Sequence, residues 1–144
     1  MLFRSALILR ALLREDPYVI WGDGTQARNF TYVDDLVLGL MAAAEGVTDC
    51  SALNLGAERA YSTLEVAEAI WQLTGFTPTD VCFEGHKPVG VHFRNADGER
   101  ARRLVGWSAD TSLERGLEKT IAWVRATTDL DALRATFERS LTER

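Results

Sequence analysis

The 144-residue sequence contains few of the features that stabilise secreted or membrane-bound proteins. Its two cysteines are too few for a disulfide framework or a metal cage. We interpret Cys50 and Cys82 as small buried hydrophobic residues in a reducing cytoplasm. No apolar run is long enough to span a bilayer. Residues 1–13 are apolar but include Arg4 and Arg10, which indicates an amphipathic helix rather than a signal peptide.

The sequence also lacks the short motifs of a self-contained active site. It has no Gly-x-Gly-x-x-Gly or Walker-type phosphate loop and no His-Glu-x-x-His motif. Its two histidines, His86 and His92, do not share chelate spacing with other ligands, so we expect no metal site. The formal net charge of −5 argues against nucleic-acid binding, which requires a basic surface. No catalytic residue is therefore predicted.

The sequence contains alternating helix and strand patterns, and its composition is that of an ordinary globular domain. Apolar spacing and capping residues predict helices at residues 2–14, 34–45, 62–75, 97–104, 111–125 and 130–141. The expected N-terminal caps are Asp34 or Asp35, Ser62, Asp97 and Thr111. β-rich runs predict strands at residues 18–21, 30–33, 52–55 and 81–83. The fold class is therefore a small mixed α/β domain with too few strands for a complete doubly wound sheet.

The most informative segment runs from Tyr18 to Asp35 and reads as a strand, a glycine turn, an arginine-bearing strand and a helix start. Three further motifs follow in order: Leu-Asn-Leu-Gly at residues 53–56, Arg-x-x-Asp at 94–97 and Leu-Val-Gly-Trp at 104–107. This order resembles the extended short-chain dehydrogenase/reductase family, the NAD-dependent nucleotide-sugar epimerases and dehydratases. The GDP-mannose 3,5-epimerase-like members resemble it most. The resemblance covers residues 7–125.

Arg28 is the first candidate for a ligand contact. A diphosphate requires a planar, permanently charged donor, and arginine offers bidentate geometry. The resemblance implies that Arg28, in the frame Gly-x-Gly-x-Gln-x-Arg, grips a nucleotide diphosphate. Considered alone, it could instead be a surface arginine paired with Asp34 or Asp35. The family usually has aspartate after this arginine, and Asn29 stands there, which removes a carboxylate expected to orient Arg28.

Three further residues are candidates for substrate binding. The resemblance implies a second phosphate contact from Arg94, and the alternative is an ion pair of Arg94 with Asp97. Gln26 is expected either to shape the glycine turn or to reach a ribose. Asn54 is expected either to contact ligand or, as a buried polar residue, to brace the structure.

The catalytic half of the family pattern is missing from this sequence. The resemblance implies a Tyr-x-x-x-Lys pair, but the only lysines are Lys87 and Lys119, and neither follows a tyrosine at that spacing. It also implies NAD for the full-length family, with no part of the NAD site in this chain. Residues 1–126 are therefore interpreted as a nucleotide-sugar-binding-like subdomain, and residues 127–144 as a charged C-terminal helix or tail.

These observations leave several functions open. The chain is interpreted as the nucleotide-diphosphate-sugar binding portion of an epimerase or dehydratase, not catalytically competent alone. It could be one subunit of a split enzyme with a separate Rossmann-domain partner, or a piece of a longer enzyme. It could also be a structural protein with a decayed pocket. Because an isolated subdomain would expose an apolar face, we expect a homodimer, with residues 2–13 as its seam.

Overall fold

The computed structural model describes residues 3–132 and 134–135 and contains five helices and five strands in that part of the chain. The helices are α1 (Phe3–Leu12), α2 (Val33–Gly46), α3 (Thr63–Thr74), α4 (Glu99–Val105) and α5 (Leu113–Thr127). The strands are β1 (Tyr18–Trp21), β2 (Ala27–Asn29), β3 (Ala60–Ser62), β4 (Val81–Glu84) and β5 (Phe93–Arg94). Residues 130–132 and 134–135 are also helical, whereas the rest of the helix predicted to residue 141 lies outside the described residues.

The strands form two small sheets. β1 and β4 pair in parallel, with Tyr18 opposite Val81. β2 is the middle strand of the second sheet, antiparallel to β3 and parallel to β5. Neither sheet is a doubly wound sheet, which confirms the predicted small mixed α/β fold. No helix within the described ranges is long and apolar enough to cross a membrane.

The core lies where α1, α3 and α5 meet β1. Its fully buried members include Tyr18, Ile20 and Ile70, each 0 % exposed. The hydroxyl group of Tyr18 donates a hydrogen bond of 2.7 Å to the backbone carbonyl of Leu7, and burial raises the pKa of this hydroxyl. The Tyr18 ring meets the ring of Trp71 edge to face, with 5.1 Å between centroids. Strand β1 is thus pinned to α1 on one side and to α3 on the other.

The apolar face of α1 is buried in this core. Leu7, Ile8 and Ala11 are 1–4 % exposed and belong to the same hydrophobic cluster as Ile70. The expectation that α1 forms the seam of a homodimer is therefore wrong, because its apolar side chains already pack inside the chain. The interpretation of the cysteines is also wrong, since both Cys50 and Cys82 are exposed.

Helix ends follow local capping chemistry where no tertiary contact competes. Ser62 and Glu65 form the predicted capping box: the Glu65 amide donates to Ser62 Oγ at 3.1 Å, and the Ser62 amide donates to Glu65 Oε2 at 2.7 Å. Helix α5 is instead capped by Ser112, one residue after the expected Thr111. The amide and hydroxyl groups of Thr111 both donate to the carboxylate of Asp35, so Thr111 joins α5 to α2 rather than capping.

Two other caps and two strands differ from expectation. Helix α2 follows Tyr32 without a side-chain cap, and α4 follows Gly98, although Asp97 Oδ1 accepts a hydrogen bond from the Glu99 amide at 2.9 Å. The strand expected at residues 30–33 is displaced to β2, because α2 already begins at Val33. Residues 52–55 are not in a strand, since no neighbouring strand pairs with them in the described chain. Strands β3 and β5 were not predicted.

Helix α2 is attached to the rest of the chain at Gly39. The indole of Trp107 lies against this glycine and donates from Nε1 to the Asp35 carbonyl at 2.9 Å. A Cβ atom added to Gly39 would lie 2.7 Å from Trp107 Cε2, closer than real contacts allow. Gly39 therefore permits a helix-to-indole approach that no other residue allows.

We expect Gly39→Ala to destabilise the fold by about 1–3 kcal/mol, because the indole must shift to accommodate the methyl group. Gly116→Ala in α5 is the matched control, since a Cβ there would meet only ordinary contacts at 3.4 Å or more. Alanine favours helix over glycine by about 0.5–1 kcal/mol, so Gly116→Ala should be neutral or stabilising. Urea denaturation of both variants measures the difference, and equal effects would contradict this account of Trp107.

Candidate functional site

The glycine turn between β1 and β2 is fixed by its neighbours. Gly22 and Gly24 have φ angles of +82° and +80°, which disfavour any side chain. A Cβ on Gly22 would lie 2.6 Å from Val89 Cγ1, and one on Gly24 would lie 2.8 Å from Phe83 Cε1. Thr25 donates from its hydroxyl and amide groups to the carboxylate of Asp23, which holds the pKa of Asp23 below its usual value. These contacts thus fix the backbone conformation of the turn and the direction in which the chain enters β2.

Gln26 lies beneath this turn. It is 4 % exposed, and its Nε2 donates to the Trp21 carbonyl at 2.7 Å. The backbone carbonyl of Gln26 accepts hydrogen bonds from the amide and hydroxyl groups of Thr63, which ties this segment to the start of α3. These contacts favour the turn-shaping role expected for Gln26, whereas a contact with ribose stays a prediction.

Arg28 and Arg94 are direct neighbours across the β2–β5 pair. Their Cα atoms are register partners, and on the other side of β2 the partner of Arg28 is Tyr61. Because register partners direct their side chains to the same face, Tyr61, Arg28 and Arg94 form a row across one face of the sheet. The two arginines expected to act together are thus adjacent. Tyr61 was not anticipated, because β3 is only three residues long and gave no clear strand signal.

The two guanidinium groups have different surroundings. Arg28 donates from Nη1 to the carbonyls of Ala27 and His92 and from Nη2 to those of Val89 and Val91. It therefore fastens residues 89–92 to β2 and pairs with neither Asp34 nor Asp35. The Arg94 guanidinium is exposed and makes no hydrogen bond or ion pair with the described residues, so the expected alternative of a pair with Asp97 is not formed.

Exposed apolar side chains flank the Arg28 guanidinium. Val89 and Val91 are 37 % and 55 % exposed, and their carbonyls are two of the four that Arg28 contacts. Phe83, which is 45 % exposed, lies against Gly24 of the turn. This part of the surface therefore combines positive charge with an apolar border.

Asn29 does not orient Arg28 and points away from it. Adjacent strand residues face opposite sides of a sheet, and Asn29 Nδ2 donates to the Ala57 carbonyl at 3.2 Å. The segment is packed closely there, since a Cβ on Gly56 would lie 2.4 Å from Asn29 Nδ2. The structure thus explains why asparagine stands at this position, because aspartate could not donate a hydrogen bond to the Ala57 carbonyl. The expected loss of orientation at Arg28 is not seen, because backbone carbonyls supply it.

We expect Asn29→Asp to lower the free energy of unfolding by about 1–3 kcal/mol, because it places a carboxylate against an unpaired carbonyl. Asn95→Asp is the matched control: Asn95 Nδ2 donates to the Glu58 carbonyl at 2.8 Å, but at an exposed position. Its effect should stay within about 0.5 kcal/mol, as for most surface changes. Chemical denaturation above pH 6 gives both values. An Asn29→Asp protein as stable as the control would refute the role given to this amide.

Asn54 and the hollow beside Arg102 are not part of the site formed by Arg28 and Arg94. Asn54 is exposed rather than buried and makes no hydrogen bond with the described residues, so it does not brace the structure as expected. A hollow of about 360 Å³ is lined by residues that include Glu58, Asp97, Glu99 and Arg102. Arg102 pairs there with Glu58 and Glu99. A hollow with this many carboxylates is unsuited to a diphosphate.

Fold and site together define a small α/β unit that presents two arginines on one sheet face beside a glycine turn. The sequence model of the NAD-dependent epimerase/dehydratase family matches residues 3–56. UDP-glucuronate 4-epimerase of Thermodesulfobacterium geofontis is 32% identical over 85% of this chain and 38% of its own length. GDP-mannose 3,5-epimerase of Arabidopsis thaliana is 28% identical over 84% of this chain and 31% of its own.

The structure of this chain also resembles the solved structure of an enzyme of this kind. UDP-glucuronic acid 4-epimerase of Bacillus cereus, in complex with UDP-glucuronic acid and NAD, superposes with a TM-score of 0.78 at 28% identity. The match covers 88% of this chain and 40% of that enzyme. The chain belongs to the NAD-dependent epimerase/dehydratase family of extended short-chain dehydrogenases. It spans less than half the length of these relatives.

Proposed function

We propose that this chain binds a nucleotide-diphosphate sugar through Arg28 and Arg94 and is the substrate-binding portion of a sugar epimerase or dehydratase. The observation that carries the proposal is the register pairing of Arg28 with Arg94 on one sheet face. Neighbouring strands lie about 4.8 Å apart, so two guanidinium groups can meet the two phosphates of one diphosphate. A dianion also neutralises the repulsion between two adjacent cations, which the free protein must bear.

The two arginines contribute differently to this binding. Arg94 has no other partner among the described residues, so its N–H groups are available to a phosphate. Arg28 uses both terminal nitrogens for backbone carbonyls and keeps its Nε–H for a ligand. Its carbonyl contacts fix the guanidinium before binding, which reduces the ordering cost of association. The apolar border of Val89 and Val91 offers a surface for the nucleoside.

The chain is proposed to be incompetent for catalysis by itself. In the complete family, bound NAD supplies hydride transfer at the sugar. The residues of this chain do not fit NAD: the glycine turn leads into strand β2 rather than a helix N-terminus, and Val89 and Phe83 fill the space beside its glycines. Residues outside this sequence would have to hold the dinucleotide. The sequence also offers no Tyr-x-x-x-Lys pair as acid–base group.

One observation favours the alternative of a structural protein with a decayed pocket. Four backbone carbonyls already occupy the terminal nitrogens of Arg28, so this arginine has a structural role even without a ligand. The two functions differ at Arg94, whose exposed guanidinium has no structural role. Loss of the Arg94 side chain should therefore matter for a binding site and not for a structural protein.

Titration calorimetry separates the two functions. We expect UDP-glucuronate, GDP-mannose and the free diphosphates UDP and GDP to bind, and UMP to bind at least 10-fold more weakly, because it offers one phosphate instead of two. Comparison of UDP with GDP identifies the base. Absence of heat with every nucleotide, together with an unchanged melting temperature, would refute the proposal and leave the structural alternative.

A further inference from the structure

A third arginine extends the row formed by Tyr61, Arg28 and Arg94. Arg59 immediately precedes β3, and Tyr61 is the central residue of that strand. Residues two apart in an extended chain direct their side chains to the same face. The contact between the two residues agrees with this, because the guanidinium carbon of Arg59 lies over the Tyr61 ring, 4.4 Å from its centroid. Because β3 and β5 flank β2 on opposite sides, Arg59 and Arg94 lie at the two ends of the row.

The Arg59 guanidinium is oriented by its neighbours but keeps free donors. Its Nη2 donates to Glu65 Oε1 at 3.1 Å, and its ring contact with Tyr61 supplies a second constraint. The other Glu65 oxygen already accepts the Ser62 amide. The remaining N–H groups of Arg59 make no hydrogen bond with the residues that the structure describes, and the side chain is 68% exposed. Arg59 is therefore positioned to receive an anion from solution.

The two ends of the row suit different parts of a nucleotide sugar. The end at β5 lies next to the exposed apolar side chains of Val89 and Val91, which offer a surface for the nucleoside. At the end at β3, the Tyr61 ring face that Arg59 covers is not free to stack on a base. Base and sugar are attached to opposite ends of the diphosphate. With the nucleoside at the apolar border, the sugar therefore lies at the end of the row that carries Arg59.

We propose that Arg59 binds a carboxylate on the sugar, so that the site prefers nucleotide-diphosphate uronates to nucleotide-diphosphate sugars without an acidic group. The planar fork of arginine matches a carboxylate, whereas a neutral hydroxymethyl group offers no charge to it. The row spans two strand spacings, roughly 10 Å, which a hexose attached to a diphosphate can bridge. Tyr61 is a positioning residue, because its ring holds the Arg59 guanidinium. The proposal rests on the proposed function, since it names the class of sugar at the same site.

Titration calorimetry with UDP-glucuronate and UDP-glucose tests the proposal. The two ligands differ only in a carboxylate against a hydroxymethyl group on the sugar. We expect the unmodified chain to bind UDP-glucuronate about 10-fold more tightly or better, the factor typical of a hydrogen bond to a charged group. Arg59→Ala should make the two affinities equal to within about 2-fold by weakening the binding of UDP-glucuronate alone. Equal affinities in the unmodified chain, or a preference that Arg59→Ala retains, would overturn the proposal.

Three further variants separate the contact from general effects of charge and folding. Arg103→Ala removes an exposed arginine from α4 and should keep the preference for UDP-glucuronate; an equal loss in this variant would assign the preference to net charge and refute the role of Arg59. Tyr61→Leu removes the ring beneath Arg59 and should reduce the preference, whereas Tyr61→Phe keeps the ring and the preference. A fraction of unfolded protein lowers both apparent affinities alike, so the ratio of the two does not depend on stability.

Binding of UDP, which has no sugar, keeps this proposal distinct from the proposed function. Arg59 is not part of the Arg28 and Arg94 pair, so Arg59→Ala should bind UDP as tightly as the unmodified chain does. Binding of UDP without a preference for the uronate would refute the role of Arg59 alone. Absence of UDP binding by the unmodified chain would refute the diphosphate site, and the carboxylate contact with it.

Discussion

Ile70→Ala will lower the free energy of unfolding by about 2–5 kcal/mol, a large fraction of the stability of a domain of this size. Ile70 is 0 % exposed and belongs to the cluster in which α1, α3, α5 and β1 meet. Removal of three carbons there loses their transfer free energy and leaves a cavity. Tyr18 cannot move to fill that cavity, because its hydroxyl is bonded to the Leu7 carbonyl and its ring lies against Trp71.

Leu40→Ala is the matched control for Ile70→Ala. It removes the same number of carbons from another helix, but Leu40 is 56 % exposed on α2. Its effect on the isolated chain should stay within about 0.5 kcal/mol. Guanidinium denaturation at low protein concentration, with circular dichroism, compares the two variants. Equal losses would mean that Leu40 is buried in the free protein, and would contradict the core described here.

Helices were easier to predict than strands in this chain for a physical reason. A helix satisfies its own backbone, so the capping box at Ser62 and the glycine at Gly75 were enough to define α3. A strand needs a neighbour from elsewhere in the chain. β3 and β5 have only three and two residues and exist because β2 lies between them. Residues 52–55 show the reverse case: they have a strand-like sequence but no neighbouring strand to pair with them.

Tertiary contacts also decided which polar residues cap helices. Asp35 and Thr111 both have good capping side chains, yet they bond to each other across α2 and α5. Nothing local in the sequence shows that pairing, because the two residues are 76 positions apart. The cap of α5 moved to Ser112, the next residue able to provide it. Local rules therefore predicted that the helices exist and gave the ends of α3, but missed the N-terminal caps of α2, α4 and α5.

The candidate site was predictable in its residues but not in its geometry. The glycine frame and the Arg-x-x-Asp motif singled out Arg28 and Arg94, and strand register places them side by side. The sequence could not show that carbonyls from residues 89–92 hold Arg28, since these contacts depend on a loop path. Nor could it show that Asn29 faces Ala57, because the limits of a three-residue strand decide which face each side chain takes.

Arg94→Ala will weaken the binding of UDP or GDP by about 10- to 150-fold. This factor corresponds to the loss of one hydrogen bond to a charged group, which contributes about 1.5–3 kcal/mol. The melting temperature of this variant should not change, because the Arg94 side chain makes no hydrogen bond or ion pair in the described chain. Arg28→Ala should weaken binding by a similar factor and should also lower stability, because residues 89–92 lose the guanidinium that holds their carbonyls. Comparison of the two variants therefore separates the effect on ligand affinity from the effect on stability within one site.

Arg103→Ala is the control for loss of charge, since Arg103 is an exposed arginine on α4. Titration calorimetry in 0.1 M salt should give this variant an affinity within about 2-fold of the unmodified chain, because salt screens the long-range effect of an exposed charge that does not contact the ligand. Arg28→Lys gives a further check: lysine keeps the charge but loses the planar fork, so most of the loss at Arg28 should remain. If Arg94→Ala binds UDP and GDP as well as Arg103→Ala does, the exposed guanidinium on β5 contacts no phosphate. The row of Tyr61, Arg28 and Arg94 would then serve only to hold residues 89–92 against the sheet.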